Sequence, residues 1–102
     1  MKYAFNEVIH APNRLAICAM LSSVEALEFG VIRDELGVSD SVASKHLKAL
    51  AEAGYVGFES KTDNVSKRPR SWVELTDAGR DAFSDYVARM KRLIAGESPN
   101  AE

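Results

Sequence analysis

The stretch that most constrains the fold lies between residues 30 and 54, where two helical patterns are joined by a short turn. The first helix of the pair is predicted to begin near Gly30, and Gly37 ends it because glycine readily adopts the left-handed conformation that closes a helix. Ser39 suits the N-cap of the next helix, which we expect from Asp40 to about Ala53. A short helix, a glycine-containing turn and a capped second helix are typical of the helix-turn-helix motif.

Length and composition fit one folded domain. The 102 residues are 46% hydrophobic and 27% charged, which is close to the composition of an average globular protein. A chain of this length has room for one hydrophobic core. We therefore expect residues 1–102 to form a single domain, without a second catalytic or ligand-binding domain.

A helix and a short extended piece are predicted before the motif. The helix is expected to begin at Pro12, a residue suited to the first helical position, and to run to about Leu21. The run from Leu15 to Leu21 leaves no polar face, so we expect this helix to be buried on more than one side, which one small domain rarely provides. Leu27–Phe29 follows as the extended piece.

A hairpin and a long helix are predicted after the motif. Two strand-like stretches within about residues 55–75 flank a polar loop at residues 61–69, which is typical of a hairpin. Thr76 is expected to cap a final helix over about residues 77–95. The predicted fold is mainly α with a small β-hairpin.

The net charge of −2 hides a basic central segment. Residues 41–72 carry six Lys and Arg side chains against three acidic ones, whereas the segments before and after them are net acidic. A protein that coats nucleic acid through bulk charge alone needs a basic surplus over the whole chain. Any nucleic-acid binding by this chain must therefore use a local basic surface.

The helix after the turn has two chemically different sides. At about 100° per residue, Ala43, Leu47 and Leu50 form one line, which we expect to face the core. The other side presents hydroxyls, one branched apolar group and two amines, and such groups contact bases and phosphates in a major groove. The candidate contact residues are Ser41, Val42, Ser44, Lys45 and Lys48. An ordinary solvated helix face has a similar composition, so this face alone does not decide the function.

The predicted hairpin loop supplies a second basic element. Lys67, Arg68 and Arg70 surround Pro69, which we expect to stiffen the tip. Cations at such a tip suit phosphates or a narrow minor groove, where the electrostatic potential is strongly negative. Two separate basic elements that can flank one groove favour nucleic-acid binding over a merely solvated surface.

Four short motifs follow one another along the chain: Leu36-Gly37-Val38-Ser39, Ser44-Lys45-His46-Leu47-Lys48-Ala49-Leu50, Ala53-Gly54-Tyr55-Val56 and Leu75-Thr76-Asp77-Ala78-Gly79-Arg80. Together they resemble the winged-helix transcriptional regulators of the MarR/ArsR-like group, and most closely its small stand-alone DNA-binding proteins. The resemblance covers about residues 9–94. It implies a winged helix-turn-helix fold in which the hairpin is the wing, the helix after the turn reads double-stranded DNA, and the first and last helices form a homodimer.

The resemblance also gives roles to single residues. According to the resemblance, the candidate residues of the helix after the turn are the positions that read DNA. Arg68 and Arg70 are then the cations of the wing tip. His46 matches the Ser-x-His-Leu pattern of the family, and its place about 70° off the core line favours a contact with the scaffold over one with a base. Asp40 departs from the expected charge, because its carboxylate would face phosphates unless it is bonded locally or accepts from a cytosine amino group.

The final helix carries an apolar stripe that predicts the dimer interface. About 19 helical residues span about 28 Å, which is longer than one small domain covers, so the surplus is expected to pack on a second copy together with the first helix. The residues expected in this interface are Leu15, Phe83, Tyr86, Val87, Met90, Leu93 and Ile94.

The residue types that other classes of protein need are missing from the pattern. We find no nucleophile with a base, no phosphate-binding glycine loop and no carboxylate cluster, so we expect no enzyme activity, no catalytic residues and no cofactor. Two histidines and one cysteine are too few for a structural zinc site, and residues 32–37 lack the cysteine pair of metal-sensing relatives, so no metal site is expected. Cys18 lies in an apolar run and is expected to be a small buried hydrophobe.

The same features bear on location and partners. A lone cysteine forms no disulfide within the chain, and the longest apolar run has seven residues, far fewer than the roughly 20 of a membrane helix. The sequence thus predicts a cytoplasmic homodimer, without a membrane partner, that binds a roughly palindromic operator as a repressor. A small-molecule effector is compatible with the resemblance, which does not identify one. The alternative is a winged helix that uses its basic face for an acidic protein partner, since a fold alone does not decide function.

Overall fold

Helices and a small antiparallel sheet make up residues 5–96, the part of the chain that this computed structural model describes. The helices are α1 (Glu7–His10), α2 (Pro12–Ser22), α3 (Phe29–Leu36), α4 (Asp40–Glu52) and α5 (Asp77–Ile94), and the strands are β1 (Leu27–Glu28), β2 (Val56–Thr62) and β3 (Pro69–Leu75). The predicted mainly helical fold with a small hairpin is confirmed. The short helix α1 was not predicted.

The sheet has the strand order β1-β3-β2, with both pairs antiparallel. β2 and β3 form the predicted hairpin in a register that joins Val56 to Leu75 and Thr62 to Pro69. The predicted extended piece becomes β1, which pairs with the other edge of β3 and so ties the start of α3 to the hairpin. The strands continue further than expected, so the loop covers only residues 63–68, and Pro69 begins β3 instead of stiffening the tip.

The turn between α3 and α4 has the predicted chemistry. Gly37 adopts φ +68°, and its amide donates to the carbonyl oxygens of Arg33 and Asp34 at 3.0 and 3.1 Å. The Ser39 hydroxyl accepts from the backbone amide of Val42 at 3.3 Å, which satisfies one of the free amides at the start of α4. These local bonds set the direction in which α4 leaves the turn.

The helix α2 is central to the core. Its residues Ile17, Cys18 and Leu21 are fully buried, and the helix contacts α1, α3, α4, α5 and β3. The predicted burial on more than one side is thus provided by one small domain, although Ala19 of the same helix is exposed. Leu15 is half-buried and packs against the core of its own chain.

A polar corner joins the end of α4 to the start of α5. The Thr76 hydroxyl accepts from the Gly79 amide at 3.0 Å and donates to the Gly54 carbonyl oxygen at 2.6 Å. Gly79 is buried, and a β-carbon at this position would lie 2.1 Å from the carbonyl oxygen of Tyr55. The Thr-Asp-Ala-Gly motif thus caps α5 and lets that helix touch the backbone at the start of the hairpin.

Tyr86 and Cys18 are both buried in the core. Tyr86, expected in the dimer interface, is only 4% exposed, and its hydroxyl bonds to Nδ1 of His10 at 2.8 Å. That prediction is wrong because the ring belongs to the core and links α5 to α1. Cys18 is buried as predicted, and its burial raises the pKa of the thiol to about 11.

Candidate nucleic-acid interface

The two sides of α4 are arranged as the helical pattern predicts. Ala43, Leu47 and Leu50 are buried against the other helices and the hairpin. The candidate contact residues Ser41, Val42, Ser44, Lys45 and Lys48 are all exposed on the same helix. The structure therefore brings two amines, two hydroxyls and one apolar group together on one open surface, which we call the α4 face.

The start of α4 is held by α3 through an arginine. Arg33 donates from Nη1 to Oδ1 of Asp40 and from Nε to Oδ1 of Asp34, both at 2.9 Å. These hydrogen bonds raise the pKa of the Arg33 guanidinium, and the bond to Asp34 is the larger cause. The Asp40 carboxylate, which the sequence left as an open problem, is thus bonded within the chain. One guanidinium offsets only one of the two carboxylates, so Arg33, Asp34 and Asp40 together keep one negative charge at the start of α4. Nothing in the sequence pattern marks Arg33 for this role.

His46 contacts the scaffold, as its position predicts. Nδ1 lies 3.4 Å from Nη1 of Arg14, and Nε2 lies 3.3 Å from the amide nitrogen of Asn13. Arginine and an amide nitrogen only donate, so each of these contacts requires the ring nitrogen to accept, and a neutral ring accepts at one of its two nitrogens. Burial, followed by the charges of Arg14 and Lys45, lowers the pKa of His46.

Arg14 ties α4 to the beginning of the chain. Its Nε donates to the carbonyl oxygen of Val8, and its Nη2 lies 3.5 Å from that of Glu7. A single guanidinium therefore joins α1, α2 and α4. No spacing in the sequence marked Arg14, because its partners are set by the packing of the three helices.

The hairpin has two faces of different chemistry. Val73 and Leu75 are buried, so strand alternation places them on the inner face with Ser71, while Arg70 and Trp72 point to the outer face. Opposite them in β2, Phe58 pairs with Val73 and Ser60 with Ser71, so both lie on the inner face. The inner face is the one that packs on α4 and the core. It carries apolar and hydroxyl groups, and the charged side chains of both strands point outward.

Arg70 does not lie at the hairpin tip. It is on the outer face, where its guanidinium bonds to Oε2 of Glu28 at 2.9 Å and to Oδ2 of Asp63 at 3.3 Å. The hydrogen bond with Glu28 is the main cause that raises the pKa of Arg70. Arg70 therefore joins β3 to β1 and to the loop, which differs from the wing-tip position that the resemblance implied.

The loop at residues 63–68 is organised around Asp63. Its carboxylate accepts from the backbone amide of Val65 at 2.8 Å, and this bond is the main cause that lowers the pKa of Asp63. The backbone of Asp63 also bonds to Lys67 and Arg68 at 2.8 and 2.9 Å, and Lys67 adopts φ +60°. Lys67 and Arg68 are both exposed on this closed turn, as expected for cations at the tip.

The α4 face and the inner face of the hairpin border a common cleft. Ser44, Lys48 and Phe58 are among its lining residues, so a surface of one helix and a surface of one strand meet there. Phe58 is 52% exposed, although it lies on the apolar side of its strand. In the sequence, Phe58 stands out only as part of a strand pattern. The role of Phe58 in the cleft could not be predicted, because a strand pattern does not show where the core ends.

Comparison with known proteins agrees with this arrangement. A family model described as a winged helix DNA-binding domain matches residues 13–94. The chain belongs to the winged-helix DNA-binding domain family. In these terms α4 is the recognition helix and the β2–β3 hairpin is the wing, and the structure has the fold that the sequence motifs predict.

Relatives share most of the chain. An uncharacterized protein of Methanocaldococcus jannaschii is 33% identical over 89 residues, which are 87% of this chain and 90% of that one. A transcriptional regulator homologue from Pyrococcus horikoshii has a TM-score of 0.81 at 25% identity, covering 89% of this chain and 88% of its own. A protein described as a MarR-family transcriptional regulator, from Enterococcus faecalis, has a TM-score of 0.70 at 21% identity, covering 88% and 78%. The winged helix of this protein is thus that of a family of DNA-binding transcriptional regulators.

Residues 5–96 contain neither a membrane-spanning helix nor a metal-binding cluster. No helix in this range is both long and apolar enough to cross a membrane. The same range contains no group of three or more His, Cys, Asp or Glu side chains that could hold a metal ion.

Proposed function

We propose that the protein is a cytoplasmic, homodimeric transcriptional repressor that binds a roughly palindromic operator. The observation that carries this proposal is the α4 face, which is exposed, rich in hydroxyl and amine groups, and adjacent to the wing. A recognition helix inserts its N-terminal half into the major groove. In this protein that half holds the hydroxyls of Ser41 and Ser44 and the amine of Lys45.

The residues of the α4 face would read DNA in different ways. Lysine contacts the O6 and N7 atoms of guanine or a phosphate, and serine bonds to either a base or a phosphate. Val42 is the apolar member and suits a thymine methyl group. We assign base reading to Val42 and Lys45, and phosphate contacts to Lys48, which lies further along the helix beside the cleft.

The wing would add contacts that do not depend on sequence. Lys67 and Arg68 are exposed on a turn that backbone hydrogen bonds hold in shape. Arginine and lysine side chains at a wing tip suit the phosphates or the narrow minor groove beside the recognition helix. We leave Arg70 out of this contact set because its guanidinium is bonded to Glu28 and Asp63.

Support for the dimer comes from α5. This helix has 18 residues, and Ile94 near its end is 79% exposed. The rest of the apolar stripe is half-buried within the chain, which leaves area for a second copy, and Leu15 would contribute the part of its side chain that the core leaves open. The proposed interface residues are Leu15, Phe83, Val87, Met90, Leu93 and Ile94.

Sedimentation at micromolar protein tests the dimer. We expect a dimer for the native chain and a shift toward monomer for Ile94→Asp, which places a charge in the proposed interface. Val65→Asp is the matched control, because Val65 is 92% exposed at the wing tip, away from α5. A native chain that sediments as a monomer would remove the dimer from the proposal.

A selected-site binding experiment tests sequence-specific recognition. Random duplexes should yield a roughly two-fold symmetric site, and binding to that site should exceed binding to unrelated DNA as salt rises. If all duplexes bind equally weakly and are lost together with salt, the protein is better explained as a protein-interaction module. Transcription from a promoter that overlaps the selected site should fall when the protein is added, and a rise would make it an activator.

A further inference from the structure

The cleft between the recognition helix and the wing has a volume of about 440 Å³. Ser44, Lys48 and Glu52 line it from α4, Phe58 from β2 and Ser71 from β3. Phe58 is 52% exposed here, whereas its cross-strand partner Val73 is fully buried. The exposed half of the ring contributes nothing to folding, because it meets water in the unfolded chain as well. What distinguishes Phe58 from a scattered surface residue is that its ring lies in a cleft beside polar side chains, which is the usual setting of a binding site.

The chemistry of the cleft is suited to a ligand with both an apolar and an anionic part. Phe58 supplies the apolar surface, while the Ser71 hydroxyl and the Lys48 amine supply hydrogen-bond donors. The acidic side chains Glu59 and Glu74 lie on the outer face of the wing, on the far side of the sheet. Glu52 is the acidic residue of the cleft and lies one helical turn beyond Lys48.

The position of the cleft identifies which part of a DNA duplex would enter it. When a recognition helix occupies the major groove and the wing reaches the adjacent minor groove, one sugar-phosphate strand separates the two. That strand must pass between α4 and the wing. Ser44 and Lys48 belong both to the α4 face and to the cleft, so the two surfaces are continuous.

We infer that this cleft receives one sugar-phosphate strand of duplex DNA, with Phe58 packing against a deoxyribose and with Lys48 and Ser71 bonding to phosphate oxygens. The inference rests on the proposed function and adds an apolar contact to it. Such a contact positions the duplex without reading a base, because every nucleotide offers the same sugar. Phe58 is therefore a positioning residue that raises affinity equally for all sequences.

Binding of fluorescent duplexes over a range of salt concentrations tests this inference. Phe58→Ala should weaken binding about fivefold to tenfold, the loss expected from removing roughly half of a phenylalanine contact. The loss should be the same for the selected site and for unrelated DNA, and the salt slope should stay unchanged because no charge is removed. Lys48→Ala, in contrast, should reduce the slope by about one.

Control variants separate this contact from an effect on folding. Val24→Ala also removes exposed apolar area, from a residue that is 37% exposed and outside the cleft, and it should leave DNA affinity unchanged. Phe58→Leu keeps most of the apolar surface and should restore most of the affinity lost in Phe58→Ala. If the alanine variant fails to fold, Phe58→Leu carries the test by itself, and a small loss of affinity that is equal for all duplexes is then the expected result.

The outcomes distinguish this inference from the proposed function. If the native protein binds no DNA, the proposed function fails. If the native protein binds and Phe58→Ala binds equally well, the cleft inference alone is overturned. A loss of affinity confined to the selected site would indicate that Phe58 contacts a base. A changed salt slope would indicate an ionic contact, and a changed sedimentation coefficient would indicate that a second copy of the chain occupies the cleft. Each of these results contradicts a deoxyribose contact.

Discussion

Substitution of Gly79 by alanine tests why α5 begins where it does. Gly79 is the third residue of α5, and a β-carbon there would lie 2.1 Å from the carbonyl oxygen of Tyr55, 2.9 Å from its carbonyl carbon and 3.0 Å from Cδ2 of Leu75. Ordinary contacts between carbon and oxygen are about 3.3 Å or longer. The helix or the Tyr55 backbone must therefore move by about 1 Å, because a methyl group has no rotamer that avoids a backbone atom.

The size of the effect follows from three contributions. Overpacking a buried site costs about 1–3 kcal/mol, and a clash with backbone belongs at the upper end of that range. The same movement strains the hydrogen bond from the Thr76 amide to the Tyr55 carbonyl oxygen, 3.0 Å long, which contributes about 1 kcal/mol. The higher helix propensity of alanine returns about 1 kcal/mol. We expect the free energy of unfolding to fall by about 2–3 kcal/mol.

Urea unfolding, followed by circular dichroism at a fixed protein concentration, measures this change. Gly30→Ala is the matched control, because Gly30 also lies in the first turn of a helix and a β-carbon there would come no closer than 3.4 Å to any atom. That variant should gain about 0.5–1 kcal/mol from helix propensity. A Gly79→Ala protein as stable as the native one would refute the close approach of α5 to Tyr55.

Two further predictions concern DNA binding, and a third concerns the pH dependence of stability. Lys45→Ala should lower the binding free energy by about 1–3 kcal/mol through one base pair of each half-site. Arg68→Ala should instead weaken binding to most sequences and flatten the salt slope. Equal losses of affinity on all sequences for both variants would deny Lys45 a role in the major groove. Inserting about 5 base pairs between the half-sites turns one of them to the far side of the duplex, so operator binding should fall to the non-specific level in a mobility-shift assay, and an unchanged affinity would mean that protomers bind singly. Because the pKa of His46 is lowered in the native state, the unfolded chain takes up this proton first, so the free energy of unfolding should decrease as the pH falls through about 6.5. Urea titrations should find a smaller decrease in His46→Gln, and an identical pH dependence in both proteins would show that His46 does not contribute.

The features that could be predicted from the sequence are those held by local bonds. Ser39 and Thr76 cap α4 and α5 with their own hydroxyls, and Gly37 closes α3 in the left-handed conformation. Each cap or closing bond joins atoms within five residues of one another, so the residue types at those positions are sufficient evidence. The exposed side of α4 follows from the helical period in the same way.

Side-chain partners that are distant in the chain could not be predicted from it. Arg70 looked like a tip cation in the basic run around Pro69, but it bonds to Glu28, which is 42 residues earlier. His46 was expected to contact the scaffold, yet only the packing of α2 against α4 identifies Arg14 as its partner. Charged side chains have many candidate partners of opposite sign, and the fold decides which one comes within bonding distance.

By itself the sequence determined the order of the main helices and of the hairpin, the approximate ends of those helices and the chemistry of the α4 face. Backbone hydrogen bonds at helix ends and the helical period act over a few residues, so the local residue types are sufficient evidence. The tertiary structure alone decided that α2 packs against five other elements of its own chain, that Tyr86 lies in the core and that Phe58 extends beyond it. The sequence shows the same apolar residue type whether the side chain packs within its own domain, against a second copy or against a ligand. Burial depends on which elements meet in space, and the local pattern of residues does not contain that information.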